Sequence, residues 1–313
     1  MRILTEPFHS GFMQRALIEA VLLGIVGGVI GVHVVLRRLA FMADALTHTV
    51  FPGMAVAFLL SGSLYVGALV TGVASAVLLT ILTRNRRITS DAALAILLTG
   101  FFSVGVILVS RSHSFTADLT VLLFGRVLSV DVGEIVATAA TGAFVLVVLW
   151  LLHKELVLRS FDPEAAAALG YPIGTLDLVL NILITLVVVS AVKAVGSVLV
   201  IALLITPAAT ARLLVRRHVG AMMVVAAAIG ALGGWLGLVV SYEASVHHGW
   251  RLASGATIVL ALTALFLVAL GGAAVARRRA RAAPDDRLPP FGHLHLDPHE
   301  PLIDDSFTIG SGP

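Results

Sequence analysis

LAFMADALTHTVFPGMAVAFLL, residues 39–60, has the length and apolarity of a membrane-spanning helix and two features that a plain span lacks. Asp44 and His48 stand inside the apolar run, four residues apart, so a helix puts them on one face. Pro52 and Gly53 follow. Pro52 has no N–H for the carbonyl four residues earlier, which belongs to His48. The segment therefore predicts a broken helix, weakened where its costly polar side chains lie. Ionisable residues inside a membrane are rare and mark ion or substrate paths. Interrupted helices persist at membrane depth where they line a cavity. A carboxylate and an imidazole also suit a divalent transition metal. Asp44 and His48 thus read as half of a metal site in a transport path. The plainer reading makes Asp44 the cap of a helix beginning near Ala45, and His48 a core histidine bonded to a backbone carbonyl.

The rest of the chain fits a membrane setting. Of 313 residues, 58% are hydrophobic and only 12% charged, against about 25% charged in a soluble domain; mean hydropathy is +1.03. The fold expected is an all-α polytopic membrane protein of about nine transmembrane helices, eight to ten being compatible with the length. There is no cysteine, which excludes disulfides and thiolate metal sites. The net charge of +3 sits mostly in short basic loops and reports orientation, not nucleic-acid binding. The first apolar run is too long for a signal-peptide core and runs into Arg37 and Arg38.

Spans are expected at 16–36, 39–60, 64–83, 91–110, 131–152, 175–192, 195–214, 219–240 and 252–275. A transmembrane domain would occupy 1–275 and a flexible polar tail 276–313. Ser90 or Asp91 is placed to cap the fourth span. Residues 111–130 read as an outer loop with a short re-entrant helix near 119–128, and 241–251 as a second outer loop. With the loops after odd-numbered spans inside, 15 of the 21 Lys and Arg are cytoplasmic. That bias puts the N-terminus outside and the tail inside.

Four further features stand out. In Ser160–Gly170, SFDPEAAAALG, Asp162 is an N-cap, Pro163 the first helical residue, Glu164 a first-turn acid and Gly170 a stop. A short cytoplasmic helix between two spans can dock a soluble partner, or be a surface turn. Pro207, between Thr206 and Thr210, predicts a kink freeing the carbonyl of Leu203, toward the path or for packing. Gly24/Gly28 and Gly27/Gly31 allow close helix approach, and His33 near the basic end of its span reads as facing headgroups or water. His247-His248 and the tail's His293, His295, Asp297 and His299 could bind metal, although their spacing matches no specific site and solvated loops explain them equally. There is no G-x-x-x-x-G-K-[ST] loop, so ATP-driven transport would need an ATPase on another polypeptide.

Residues 34–60, 160–172 (SFDPEAAAALGYP), 195–214 (VGSVLVIALLITPAATARLL) and 254–260 (SGATIVL) together resemble the permease subunits of the zinc/manganese/iron ATP-binding-cassette importers. The resemblance runs from about residue 12 to 272. It departs at Ala43, usually Gly, at Thr47, usually Ser or Ala, in a longer outer loop before Ser254, and in the tail. It implies a multi-pass protein of a prokaryotic inner or plasma membrane, paired with a second copy or a pseudo-dimeric mate. It also implies a cytoplasmic ATP-binding-cassette ATPase dimer and an extracytoplasmic metal-binding protein. No cofactor would be bound permanently; the transported manganese, zinc or iron is the substrate. Asp44 and His48 match the family's polar pair. Phe161, Asp162, Pro163, Glu164, Leu169 and Gly170 fall in the helix that contacts the ATPase. Two chains about a twofold axis would offer four oxygen and nitrogen ligands.

Two other functions are weighed against this one. A secondary transporter or channel would use Asp44 and His48 as a cation relay and need no ATPase. An intramembrane hydrolase would need a nucleophile or a fuller metal set, and neither H-E-x-x-H nor G-x-S-x-G is present. The chain is therefore expected to be a transport subunit and not an enzyme.

Overall fold

The computed structural model describes residues 8, 10–84, 88–110, 127–215, 217–247 and 252–282. Nine spans among them are long and apolar enough to cross a membrane. They are α1 (Gly11–Leu36), a pair of helices α2 (Ala40–Thr49) and α3 (Phe51–Leu59) that make one span, α4 (Leu64–Thr83), α5 (Ser90–Ser110) and α6 (Val132–Leu151), followed by α9 (Ile173–Val195), α10 (Ser197–Leu214), α11 (Val219–His247) and α12 (Ser254–Ala282). Between α6 and α9 lie two short helices, α7 (His153–Phe161) and α8 (Pro163–Ala168). No strand occurs among the described residues. The chain forms two compact units, 1–273 and 274–313, and the described residues of the second, 274–282, are helical.

Helix α1 is the spine of the first unit, packed on α11, α10 and α6. Lipid tails are as apolar as leucine, so helices associate in a membrane through close packing and not by fleeing solvent. The glycines of α1 supply it. Gly24 and Gly28 face α11, where a Cβ built on Gly24 would stand 2.5 Å from the carbonyl of Gly230. Gly27 and Gly31 face α10, against the carbonyls of Leu203 and Leu204. The two stripes thus serve two different neighbours. The carbonyl that Pro207 releases, Leu203 O, points at this glycine contact; a Cβ on Gly27 would lie 3.1 Å from it. Pro207 itself is buried inside α10, which continues through it.

Several boundaries differ from expectation. Helix α11 continues to His247 where a loop was expected from 241, and Glu243 and His247 pair across one turn at 2.9 Å, which supports the extra turn. Thr89 caps α5 in place of Ser90 or Asp91: its hydroxyl accepts the amide of Ala92 at 3.3 Å. Helix α7 lies between two expected spans, and only Leu156 of its side chains is fully buried. His33 is fully buried, not at the headgroups. The expected re-entrant helix falls mostly, and His248 and the tail histidines entirely, outside the described residues; Val127–Ser129 is a 3₁₀ turn.

Candidate metal half-site and arginine clamp

The span 40–59 is interrupted at one residue. Val50 ends α2 and precedes α3 with φ −77° and ψ −16°, close to helical. Its amide still reaches Leu46 O at 3.3 Å, and its carbonyl takes Met54 N at 3.2 Å. Pro52 occupies the second position of α3, where its missing N–H leaves no intrahelical bond unmade. Thr71 of α4 also donates to Val50 O, at 3.3 Å, so the interruption is served by a neighbouring hydroxyl. Gly53 meets Gly67 of α4 backbone to backbone. The span is therefore interrupted beside the Pro-Gly pair, which packs against α4, without being unwound.

On α2 the buried residues are Met42, Ala43, Ala45, Leu46, Thr47 and Thr49. Phe41, Asp44 and His48 form the stripe left accessible. Asp44 Oδ1 and His48 Nε2 are 3.9 Å apart, and their side chains are 40% and 38% exposed. His48 meets Phe102 of α5 edge to face, centroids 6.1 Å apart. Thr47 turns its hydroxyl to Asp44 O at 2.7 Å, away from the pair. Among the described residues, no three His, Asp or Glu side chains come together as a metal cage. One chain thus brings two candidate ligands to an accessible stripe of an apolar span, an arrangement that could bind a divalent metal only with further ligands from outside the chain.

A second polar cluster lies where the end of α1 meets α7 and α9. Helix α1 closes with Arg38 at φ +59°, where Leu39 N bonds Val34 O at 2.8 Å and Arg38 N bonds Val35 O at 3.3 Å, a Schellman cap with arginine in the glycine position. Just before it, the Arg37 side chain, 9% exposed, runs between α7 and α9. Its Nη1 donates to Asp177 Oδ1 at 2.7 Å, its Nε to Ser160 Oγ at 3.0 Å and its Nη2 to Leu156 O at 3.4 Å. Arg159 Nη2 donates to the other oxygen, Asp177 Oδ2, at 2.9 Å. Burial draws the Arg37 guanidinium below the ordinary arginine range while Asp177 acts the other way, and an arginine stays charged throughout. Asp177, an acid inside a predicted span, was the signal in the sequence that went unread.

Helix α8 has the punctuation read from the sequence. Asp162 Oδ1 accepts the amide of Ala165 at 2.8 Å, and Pro163 opens the helix. Gly170, at φ +84°, closes it, with Gly170 N on Ala167 O at 3.0 Å and Tyr171 N on Ala166 O at 3.1 Å. Phe161 and Leu169, at 66% and 69% exposure, leave two large apolar side chains uncovered beside it.

The nine apolar spans define a multi-pass membrane protein. The chain belongs to the ABC 3 transport family, whose sequence profile matches residues 9–272, and with it to the permeases of the zinc/manganese/iron importers. It is 39% identical over 258 residues to the manganese transport system membrane protein MntC of Halalkalibacterium halodurans, covering 82% of this chain and 86% of that one. It is 34% identical over 268 residues to the chelated iron transport system membrane protein YfeD of Yersinia pestis, covering 86% and 88%. Among solved structures, PsaBC from Streptococcus pneumoniae in complex with Fab is similar at a TM-score of 0.73 and 35% identity, covering 86% of this chain and 94% of that one.

Proposed function

We propose that the chain is the membrane subunit of an ATP-driven importer of manganese, zinc or iron, and that Asp44 and His48 are its ligands for the metal in transit. The observation that carries this is the pair itself: a carboxylate and an imidazole 3.9 Å apart, half exposed on the only accessible stripe of a membrane helix. Left against lipid, such groups are costly. Facing the same pair on a second copy, they make a four-ligand oxygen–nitrogen site, one suited to manganese, iron or zinc and poor for Cu(I). A site of ordinary carboxylate and imidazole ligands also binds weakly enough to release its cargo. The similarity to MntC, of a manganese transport system, and to YfeD, of a chelated iron transport system, supports a first-row metal.

ATP hydrolysis belongs to a separate cytoplasmic ATPase dimer, since the chain has no phosphate-binding loop. Helix α8, with Phe161 and Leu169 uncovered beside it, is the docking element for that partner. An extracytoplasmic metal-binding protein delivers the metal. Residues 1–275 are the permease domain in this reading and 276–313 a cytoplasmic tail.

The test is cellular metal content by mass spectrometry in starved and resupplied cells co-expressing the ATPase and binding protein. Wild type is expected to raise one metal, and Asp44→Ala and His48→Ala to lower that rise at least tenfold at equal membrane levels. Uptake by both variants at the wild-type rate would overturn the ligand assignment. Uptake that persists without the ATPase would replace the importer with a secondary transporter or channel.

A further inference from the structure

We infer that Arg37, Asp177, Arg159 and Ser160 form the transmission joint of the importer: a positioning cluster that carries movement of the ATPase-docking segment to the helix bearing Asp44 and His48. This rests on the proposed ATP-driven function and deepens it.

Covalent order places the joint. Ser160 and Arg159 are in the last turn of α7, which passes through Asp162 directly into α8. Arg37 is the C-cap of α1, and α2 begins three residues later at Ala40. Asp44 lies five residues beyond Leu39, about 7.5 Å along a helix. Arg37 is therefore held on one side by the docking segment, through Ser160 Oγ and Leu156 O, and joined on the other to the start of the site helix. Asp177 fixes both arginines to α9.

The joint is stiff where it grips. The planar guanidinium of Arg37 makes three bonds at 2.7–3.4 Å to three different residues, and Ser160 is itself tied to Leu156 O at 2.6 Å. A planar fork of donors transmits orientation as well as position, unlike a point charge. The Schellman cap at Arg38 locks the turn, so α1 cannot rotate without carrying the start of α2. Room to move lies alongside: a cavity of about 360 Å³ is lined by Pro163, at the start of α8, by Arg38 and Leu39, and by Arg37, Ser160 and Asp177. A rigid grip beside an open cavity suits a part that swings and not one that only fills space.

The test uses the whole complex, permease with ATPase and binding protein, in proteoliposomes, and reads manganese taken up per ATP hydrolysed. Asp177→Asn and Arg37→Gln are expected to keep ATP hydrolysis within twofold of wild type and to lower manganese per ATP at least fivefold. Ser160→Ala, which leaves the ion pairs intact, is expected to lower it about twofold. A merely structural cluster would reduce assembly and scale hydrolysis and uptake together, leaving the ratio unchanged. An unchanged ratio in the variants that assemble overturns the inference, and so does failure of all three to assemble. The underlying function fails separately, if wild-type liposomes take up manganese without ATP.

Discussion

Two polar clusters sit along one covalent path, α1 to α2, and they are built on opposite principles. The clamp at Arg37 has its partners within the chain: two carboxylate oxygens, a hydroxyl and a carbonyl receive Arg37 Nη1, Nε and Nη2 and Arg159 Nη2, while Arg159 Nε is buried without a partner. The pair at Asp44 and His48 has one loose mutual contact of 3.9 Å and faces outward. A buried network contributes when every member is satisfied and costs when one is removed. An outward pair contributes little to its own chain, because exposed ion pairs give only ~0–1 kcal/mol. The difference separates what holds this subunit together from what it offers to others.

The first way to break that contrast is to truncate one carboxylate in each cluster. Asp177→Ala leaves Arg37 and Arg159 facing each other without their shared counter-charge. Losing charge-assisted bonds is expected to cost about 2 kcal/mol, allowing for the partial exposure of Asp177. Asp44→Ala is expected to change stability by less than about 0.5 kcal/mol while removing uptake. Denaturation of the purified subunit in mixed micelles gives both values. Equal losses from the two substitutions would mean that Asp44 is structural.

Much of this was legible in the sequence, and the physics explains which parts. Apolar runs near 20 residues announced the spans, and Leu64–Thr83 appears with the expected bounds. Asp162, Pro163 and Gly170 act locally, so their spacing alone located α8. The four-residue interval placed Asp44 and His48 on one face. What escaped was non-local or masked. The Arg37–Asp177 bond joins residues 140 apart, and Arg37 counted in the sequence only as a basic loop charge. Helix α7 has a single fully buried residue, so no apolar run marks it. Pro52 signalled the interruption at Val50, but not that Thr71, 21 residues away, donates to the Val50 carbonyl.

A smaller effect sharpens the contrast at the docking segment, which lies next to the clamp but depends on local bonds. Asp162→Ala removes the acceptor for Ala165 N, a cap contributing about 1 kcal/mol. Amide exchange in 163–169 is expected to rise about fivefold with no change around Asp44. If exchange in α2 rises as well, the docking segment and the site helix unfold together, and the clamp belongs to a larger cooperative unit.

The smallest effect concerns the turn that joins the two clusters. Three helices close with the same Schellman pattern, yet the left-handed residue is glycine only at Gly170; it is Arg38 after α1 and Ser61 after α3. A left-handed residue with a Cβ costs roughly 1 kcal/mol relative to glycine, and glycine in turn loses more freedom on folding. The Arg38 side chain is exposed and Arg37, not Arg38, makes the clamp. Arg38→Gly is therefore expected to raise stability by about 0.5 kcal/mol, and Arg38→Val, branched at Cβ, to lower it by about 1 kcal/mol. Thermal unfolding of the two variants beside wild type checks the order. If Arg38→Gly is instead the less stable, the arginine is held by more than its backbone, and the corner between clamp and half-site has a partner at Arg38 as well as at Arg37.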